Sequence, residues 1–261
     1  MSPELSTRQG EVVRFDDVAK IYQTRDGGQI DALAPTTLTI EPGEFVSVLG
    51  PSGCGKSTLL RLIAGLEVST SGRISIGDEV VRRPSDKIGV AFQKSVLMPW
   101  YTVAENIQLP AKLQGVLSKK EMADRTESLL DMVRLSGLGQ KYPGELSGGM
   151  QQRVAIARAL ITSPSLLLMD EPFAALDAIT RERMNDELLR IWELSGCTVF
   201  FITHDIGEAA YMSDRILAMS PRPGRVVADL SLTFPRPRGP QTREIPDYVH
   251  LLTELRSMIN H

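Results

Sequence analysis

The chain has 261 residues, of which 42% are hydrophobic and 23% charged, values that are ordinary for a folded protein with one large core. The formal net charge of −3 argues against non-specific nucleic-acid binding, which needs a concentrated basic face, and two cysteines are too few for a disulfide framework. Neither a signal peptide nor the ~20-residue apolar run of a transmembrane helix is visible, which predicts a cytosolic protein whose membrane association would come through a partner.

Short strands are predicted in the first part of the chain. Apolar patterning places one strand at residues 12–15 and another at 38–40, and the turn signal at 26–28 indicates a hairpin between them. Tyr22 lies just before that turn. The apolar stretch 45–49 predicts a buried strand that leads into the next motif.

A glycine-rich loop follows this strand and matches the pattern G-x-x-x-x-G-K-[ST] of a phosphate-binding P-loop. Its residues are Gly50, Pro51, Ser52, Gly53, Cys54, Gly55, Lys56, Ser57 and Thr58. In such a loop the backbone N–H groups face the phosphates, Lys56 reaches the β- and γ-phosphates, and the Ser57 hydroxyl is a Mg²⁺ ligand. An ordinary glycine-rich turn explains the full pattern poorly, so a bound nucleoside triphosphate is expected. The Cys54 thiol is expected to make activity sensitive to alkylation.

The character of the chain changes after a predicted strand at 87–92, which ends at Gln93. Helical periodicity dominates from there, so residues 93–164 are predicted to form an α-helical insert within an α/β domain. Ser118 and Glu121 fit a capping box at the start of one of its helices. The Gln93 amide can bind Mg²⁺ or a water molecule, or it can be a plain solvated strand end, and its position does not separate these two interpretations.

Residues 145–153 are the most diagnostic stretch of this insert. Ser147, Gly148 and Gly149 precede a predicted helix, and together they form an N-terminus rich in backbone N–H groups. This arrangement predicts a second anion site. A plain helix cap would explain the serine but not the pair of glycines.

The apolar stretch 166–169 predicts a fully buried strand that ends in two carboxylates, Asp170 and Glu171. At the carboxyl edge of a parallel sheet both acids would lie beside the P-loop, where α/β proteins bind ligands. Asp170 is then placed to hold Mg²⁺ and Glu171 to polarise an attacking water. A surface Asp-Glu turn is the alternative, which the four apolar residues before the pair disfavour.

A helix at about 178–195 and an apolar strand at 198–203 come next, and His204 follows that strand. Its position predicts a γ-phosphate contact that keeps Glu171 and a water molecule correctly oriented for reaction. A purely structural histidine is the alternative. Strands that alternate with helices in this way predict an α/β fold with a mainly parallel sheet.

The last part of the chain begins with residues 221–240, where five prolines alternate with four arginines. This composition favours a solvated, extended linker over a basic interaction arm. Apolar residues from Tyr248 to Ile259 then predict a short amphipathic helix that packs onto the domain.

Together these motifs resemble those of the nucleotide-binding subunit of an ATP-binding cassette (ABC) transporter, over about residues 11–228. The matching positions are the P-loop, Gln93 as the Q-loop, residues 146–150 as the signature, Asp170 and Glu171 as Walker B, residues 175–177 as the D-loop, and His204 as the switch histidine. Tyr22 stands where this family stacks an aromatic ring on adenine. Met150 departs from the most common signature, which has glutamine at that position, although the phosphate contacts come from Ser147 and the glycines.

The resemblance implies a single nucleotide-binding domain with a RecA-like P-loop NTPase core. The core has a mainly parallel sheet and an antiparallel β part (11–93 and 165–228), an inserted α-helical signature subdomain (94–164), and a C-terminal arm with a helix (229–261). ATP and Mg²⁺ are the implied ligands, with Ser57, Gln93 and Asp170 around the metal.

The resemblance further implies a head-to-tail homodimer. Lys56 of one subunit and residues 147–149 of the other would clamp the same ATP, and Asp177 would signal between the two sites. Lys56, Gln93, Glu171 and His204 are the implied catalytic group. ATP closes the dimer and hydrolysis opens it, which drives a separate membrane permease.

Residues 96–106 and 220–225 resemble those of the nitrate, sulfonate and taurine group of bacterial importers. In that group the segment after the Q-loop accepts a coupling helix of the permease, a substrate-binding protein acts as an indirect partner, and the ATPase sits on the inner face of the membrane. Residues 98–100 as simple core residues are the alternative for this segment. A non-transport ABC ATPase, a mechanical or regulatory switch in cell division or lipid trafficking, is the alternative for the whole chain.

Overall fold

The structure is a computed structural model that describes residues 9–174 and 176–259, except for the side chain of Ile259. In this described part the strands are β1 (Val13–Gln23), β2 (Gln29–Ile40), β3 (Phe45–Leu49), β4 (Ser71–Ile76), β5 (Glu79–Val80), β6 (Ile88–Ala91), β7 (Leu166–Asp170), β8 (Thr198–Ile202), β9 (Arg215–Met219) and β10 (Val226–Ser231). The helices are α1 (Lys56–Ile63), α2 (Val103–Gln114), α3 (Lys119–Met132), α4 (Gly148–Leu160), α5 (Ala178–Ser195), α6 (Ile206–Met212) and α7 (Pro246–Ile259). The described residues form two compact units: the P-loop unit, residues 10–85 and 198–259, and the helical unit, residues 86–197 together with residue 9.

The P-loop unit holds four neighbouring strands around β3. β3 pairs in parallel with β8 on one side and β9 on the other, and β10 is antiparallel to β9. Every residue of β3 and β8 is buried, which explains why both strands are continuously apolar rather than alternating. Because parallel neighbours end at the same edge of a sheet, the segments that follow β3 and β8 leave that edge side by side.

A second sheet in the same unit is antiparallel, with the order β2-β1-β4-β5. Its hairpin is confirmed, but both strands are much longer than the sequence pattern predicts. The pairing register shifts between Phe15 and Val18, and Asp17 at this bulge has φ of 51°. A bulge turns the following side chains to the other face of the sheet. The alternation of apolar and polar residues is therefore interrupted, and the strand continues where the pattern suggests an end.

The helical unit contains one pair of parallel strands, β6 and β7, and the helices α2 to α5. Capping boxes at Thr102 and Ser118 begin α2 and α3, as the sequence predicts for Ser118. The predicted succession of helices before β7 is confirmed, and so is the α/β class with a mainly parallel and an antiparallel sheet. No helix in the ranges described is long and apolar enough to cross a membrane.

The prediction that residues 221–240 form a solvated linker is wrong for Arg236 and Arg238 in the C-terminal arm. Arg238 is only 8% exposed, and its guanidinium donates to the carbonyls of Tyr211 at 2.9 Å and Ser213 at 2.6 Å. Arg236 donates to Met212 O and to the carboxylate of Asp214, both at 2.7 Å. The physical reason is that α6 ends here, and the last carbonyls of a helix need donors from outside it.

Helix α7 then packs onto the P-loop unit, as predicted. Tyr248 and Leu255 are 3% and 0% exposed, and the Tyr248 hydroxyl donates to Gly207 O in α6 at 3.2 Å. The Arg243 guanidinium lies 4.0 Å from the centre of the Tyr211 ring, which adds a cation–π contact to the same surface. The arm therefore braces the helix that follows His204.

Candidate active site

The P-loop turns sharply between β3 and α1. Gly53 and Gly55 have φ of 78° and 102°, which are left-handed conformations that favour glycine. α1 begins at once, with Gly55 as its N-cap, no side-chain cap among the described residues and no acidic residue in its first turn. The N–H groups and the positive end of the helix dipole are therefore not neutralised by a local side chain, which is the condition for anion binding.

The Lys56 ammonium lies within this loop. It is 5% exposed, and Nζ donates to Gly50 O at 2.7 Å and to Pro51 O at 3.0 Å. These partners are neutral carbonyl oxygens, so they hold the ammonium in place without cancelling its charge. The loop thus concentrates positive potential at the start of α1, as a phosphate-binding role for Lys56 requires.

The burial of Cys54 argues against the expectation that this thiol makes activity sensitive to alkylation. The thiol is 1% exposed, and burial raises its pKa, against the smaller opposing effect of the Lys56 charge. A buried thiol with a raised pKa has little thiolate at neutral pH, and the thiolate is the reactive form. Cys54 therefore contributes its backbone to the loop and a small apolar side chain to the core.

Tyr22 lies against the P-loop helix. Its hydroxyl donates to a carboxylate oxygen of Glu67 and lies 3.4 Å from the Thr58 hydroxyl, while the Lys20 ammonium is 5.0 Å from the centre of its ring. Burial raises the pKa of Tyr22, and the bond to Glu67 raises it further. The ring is thus anchored through its hydroxyl beside the loop, and stacking on adenine stays a prediction.

His204 leaves the same sheet edge as the P-loop. Val48 in β3 is paired with Ile202 in β8, and Thr203 N donates to Val48 O at 3.3 Å. Gly50 lies two residues after Val48, and His204 lies two residues after Ile202. The fold therefore brings the two sequence motifs to one edge of the P-loop unit, as their positions after strands predict.

In the helical unit, Gln93 and the acidic pair also share a strand edge. Ala91 in β6 is paired with Met169 in β7, so Gln93, Asp170 and Glu171 lie at or just after the carboxyl ends of neighbouring parallel strands. Glu171 has φ of 44°. A non-glycine residue in this region costs about 1–3 kcal/mol, and such strain is concentrated at functional sites.

The signature segment begins α4 with an open N-terminus. Ser147 is the N-cap, and its hydroxyl accepts from Met150 N at 3.3 Å. A Cβ added at Gly148 would meet nothing within 4 Å, and one at Gly149 would make only ordinary contacts of 3.7 and 3.8 Å with two side chains. Because neither glycine has positive φ, the fold itself does not require the pair. Close approach of a ligand or partner to the backbone is a physical reason for glycine at both positions.

Helix α4 also holds the segment around Gln93, a feature that the sequence analysis missed. Gln152 Nε2 donates to Phe92 O at 3.1 Å, and the Ser95 hydroxyl donates to Gln151 Oε1 at 3.3 Å. Arg158 donates to Ser95 O at 2.7 Å and to Val96 O at 2.8 Å. The only sequence signal is that positions 151 and 158 lie two turns apart on one helix face.

Asp177 is the N-cap of α5, and its carboxylate accepts from Thr180 N at 3.0 Å. This backbone hydrogen bond is the main reason that the pKa of Asp177 is lowered. Ala175, at the start of the predicted D-loop, lies outside the described residues. The structure thus assigns Asp177 a helix-capping contact, and signalling between sites stays a prediction.

The candidate metal ligands fit Mg²⁺ by their chemistry. Ser57, Gln93 and Asp170 offer a hydroxyl, an amide and a carboxylate oxygen, which are hard donors. The described residues contain no group of three or more His, Cys, Asp or Glu side chains that could hold a metal by themselves.

Comparisons with known proteins agree with these features. Residues 33–174 match the family model described as ABC transporter. The chain is 46% identical to the aliphatic sulfonates import ATP-binding protein SsuB of Bacillus thuringiensis subsp. konkukian, over 88% of this chain and 90% of that protein. It is 43% identical to the taurine import ATP-binding protein TauB of Rhizobium johnstonii, over 95% of this chain and 97% of that protein. It is also 43% identical to the nitrate import ATP-binding protein NrtD of a Synechocystis strain, over 95% of this chain and 94% of that protein.

A solved structure gives the same answer for the fold. The dimeric ATP-binding cassette MJ0796, in a post-hydrolysis state with ADP and Pi, superposes with a TM-score of 0.74 and 37% identity over 85% of this chain and 99% of that one. The chain belongs to the ABC transporter family and is one of its ATPases. The resemblance to the nitrate, sulfonate and taurine group is likewise confirmed.

Proposed function

We propose that the chain is the ATP-hydrolysing subunit of a bacterial importer for a small solute of the nitrate, sulfonate or taurine kind. It works as a head-to-tail homodimer on the inner face of the cell membrane, bound to a separate permease that receives solute from a binding protein. The observation that carries the proposal is the pair of incomplete anion sites, the P-loop in one unit and the open α4 N-terminus in the other. Relatives named as import ATP-binding proteins support it.

Each half of the site has a definite task in this dimer. Lys56 and the P-loop N–H groups bind the β- and γ-phosphates of ATP, and Tyr22 supports the adenine. Ser147 and the two glycine N–H groups of the partner close over the γ-phosphate. An ATP that is held by both subunits locks the dimer, and its cleavage removes the contacts on which closure depends.

The hydrolytic step falls to the groups at the strand ends. Glu171 accepts a proton from the attacking water, while His204 and Gln93 keep the water and the γ-phosphate in line. Ser57, Gln93 and Asp170 supply oxygen ligands for Mg²⁺, which neutralises charge on the phosphate oxygens when bound. Asp177 connects one site to the other across the dimer.

Permease binding is supported by an exposed aromatic segment after Gln93. Trp100 is 67% exposed, and Pro99 is exposed as well, so the alternative that these are core residues is wrong for them. The loop is nevertheless anchored, because Asn106 is fully buried and its amide donates to three carbonyls and accepts from Met98 N at 2.7 Å. An exposed aromatic on a braced loop is typical of a protein interface.

Purification of the tagged full-length chain from detergent-solubilised membranes of its own host tests this function. We expect a polytopic permease to co-purify, identified by mass spectrometry, and Trp100→Glu to lose it while still binding ATP. Leu194→Glu is the control, since Leu194 is also exposed, at 55%, but lies at the end of α5. Absence of any polytopic membrane protein with the unmodified chain would point to a non-transport ATPase instead.

A further inference from the structure

The turn that joins β9 to β10 lies directly against the P-loop. Within it, Gly224 exchanges backbone hydrogen bonds with β2: Ala34 N donates to Gly224 O at 2.9 Å, and Gly224 N donates to Ala32 O at 3.2 Å. A Cβ added at Gly224 would lie 2.0 Å from Cys54 O, so the two backbones are in close contact. The turn, residues 220–225, is thus fixed to the sheet on one side and to the P-loop on the other.

Arg222 in this turn reaches the P-loop backbone. Its Nε donates to Gly53 O at 2.7 Å, and its Nη2 lies 3.5 Å from the place that a Cβ on Gly53 would occupy. On the other side of the same peptide, Cys54 N donates to Pro51 O at 3.3 Å. The peptide group between Gly53 and Cys54 is therefore held at both its carbonyl and its N–H.

This peptide needs such support because its first residue is glycine in a left-handed conformation. Gly53 has φ of 78°, is exposed, and has no side chain that limits rotation of its carbonyl. A phosphate-binding loop works only when its N–H dipoles face the anion. A carbonyl that turned inward would present partial negative charge to the phosphates.

We propose that Arg222 is a positioning residue for nucleotide binding, which holds the Gly53 carbonyl toward the β9–β10 turn and so keeps the P-loop in its anion-binding conformation. Arg222 acts through the loop backbone and takes no part in bond cleavage. The inference rests on the proposed role of residues 50–58 in holding the phosphates.

Nucleotide binding and steady-state kinetics of the full chain test this role. Arg222→Ala is expected to weaken ATP and ADP binding by about tenfold, the usual effect of losing one charge-assisted hydrogen bond, and to raise KM in parallel. Because the carbonyl acts on binding and not on the water attack, kcat should stay within about twofold. Arg222→Lys keeps a donor of similar reach and should recover most of the affinity.

Arg225→Ala is the matched control, since Arg225 is an exposed arginine of the same turn, and it should bind nucleotide like the unmodified chain. Arg222→Ala should lower the midpoint of thermal unfolding by only a few degrees, about the size of one lost hydrogen bond in a chain of this length, so the variant stays folded. The effect of Arg222→Ala should persist at about 0.5 M salt, where long-range charge effects are screened. Unchanged affinity in Arg222→Ala, or a loss that disappears in high salt, would overturn the proposal. Failure of the unmodified chain to bind ATP would instead contradict the proposed function.

Discussion

Two features support the proposed role of Glu171 as catalytic base: it directly follows a buried apolar strand, and its backbone has φ of 44°. Glu171→Gln removes the proton acceptor and keeps the shape of the side chain. We expect turnover to fall by about 10²–10⁴-fold, the usual contribution of a general base, while ATP affinity is maintained. Single-turnover hydrolysis and equilibrium ATP binding measure the two quantities. Near-normal turnover would remove Glu171 from this role.

Cys54 gives a prediction about reactivity and pH. Because burial raises the pKa of this thiol above its usual value, its thiolate fraction at neutral pH is small and increases as pH rises toward that pKa. We expect alkylation of the folded chain to be slow at pH 7, faster at higher pH, and further slowed by ATP. Cys197, whose pKa burial raises to about 11, should react more slowly still. Rapid alkylation of Cys54 at pH 7 in the folded chain would be incompatible with its burial.

At this scale the sequence can indicate candidate residues where chemistry depends on residue type and spacing. The P-loop, the acidic pair and the Ser-Gly-Gly segment could all be singled out because few side chains can perform the tasks proposed for them. Arg222, Arg158 and Arg238 could not, because each donates to backbone carbonyls at least 25 positions away. Every residue has such a carbonyl, so no pattern in the sequence marks the partner.

At the scale of elements, α4 connects the signature to the segment that carries Gln93. Arg158 joins the two with hydrogen bonds to Ser95 O and Val96 O, and Val96 is held at φ of 42°, which is unusual for a β-branched residue. A strained residue persists only when its surroundings hold it. These two hydrogen bonds, which we call the Arg158 clamp, therefore hold the chain in place just after Gln93.

Arg158→Met tests this clamp, since it keeps an unbranched apolar chain in place of the arginine stem and removes the donors. We expect the free energy of unfolding to fall by about 2 kcal/mol, because two carbonyls lose a charged partner. Urea denaturation measures the change, with Arg183→Met on the exposed face of α5 as the control. Equal stability of the two variants would show that the clamp contributes little.

Element boundaries show where local patterns fail. The buried strands β3 and β8, the start of α3 and the helix α5 agree with their predicted positions, because continuous apolar runs and capping residues are strong local signals. The lengths of β1 and β2 were underestimated because a bulge at Asp17 changes which residues of the strand face outward. The C-terminal arm was misjudged because its arginines cap α6, which is a tertiary contact and leaves no periodicity.

At the scale of the molecule, the candidate site residues are distributed over the two units. The P-loop unit contains Tyr22, residues 50–58 and His204, and the helical unit contains Gln93, residues 147–149 and the acidic pair. The sequence order of these motifs made the family recognisable, and the family match confirms it. The central claim of the proposed function is that each ATP is shared between two chains, with Lys56 from one and Ser147 from the other.

Mixed dimers of Lys56→Ala and Ser147→Arg test this claim most directly. Each variant alone damages both sites of its homodimer and should be inactive. A mixed dimer has one doubly damaged site and one intact site, since the Ser147→Arg chain keeps its Lys56 and the Lys56→Ala chain keeps its Ser147. An equimolar mixture should therefore recover up to about a quarter of the unmodified ATPase rate, because half the dimers are mixed and each has one working site. A mixture that stays inactive, although both variants fold and dimerise, would contradict the shared site.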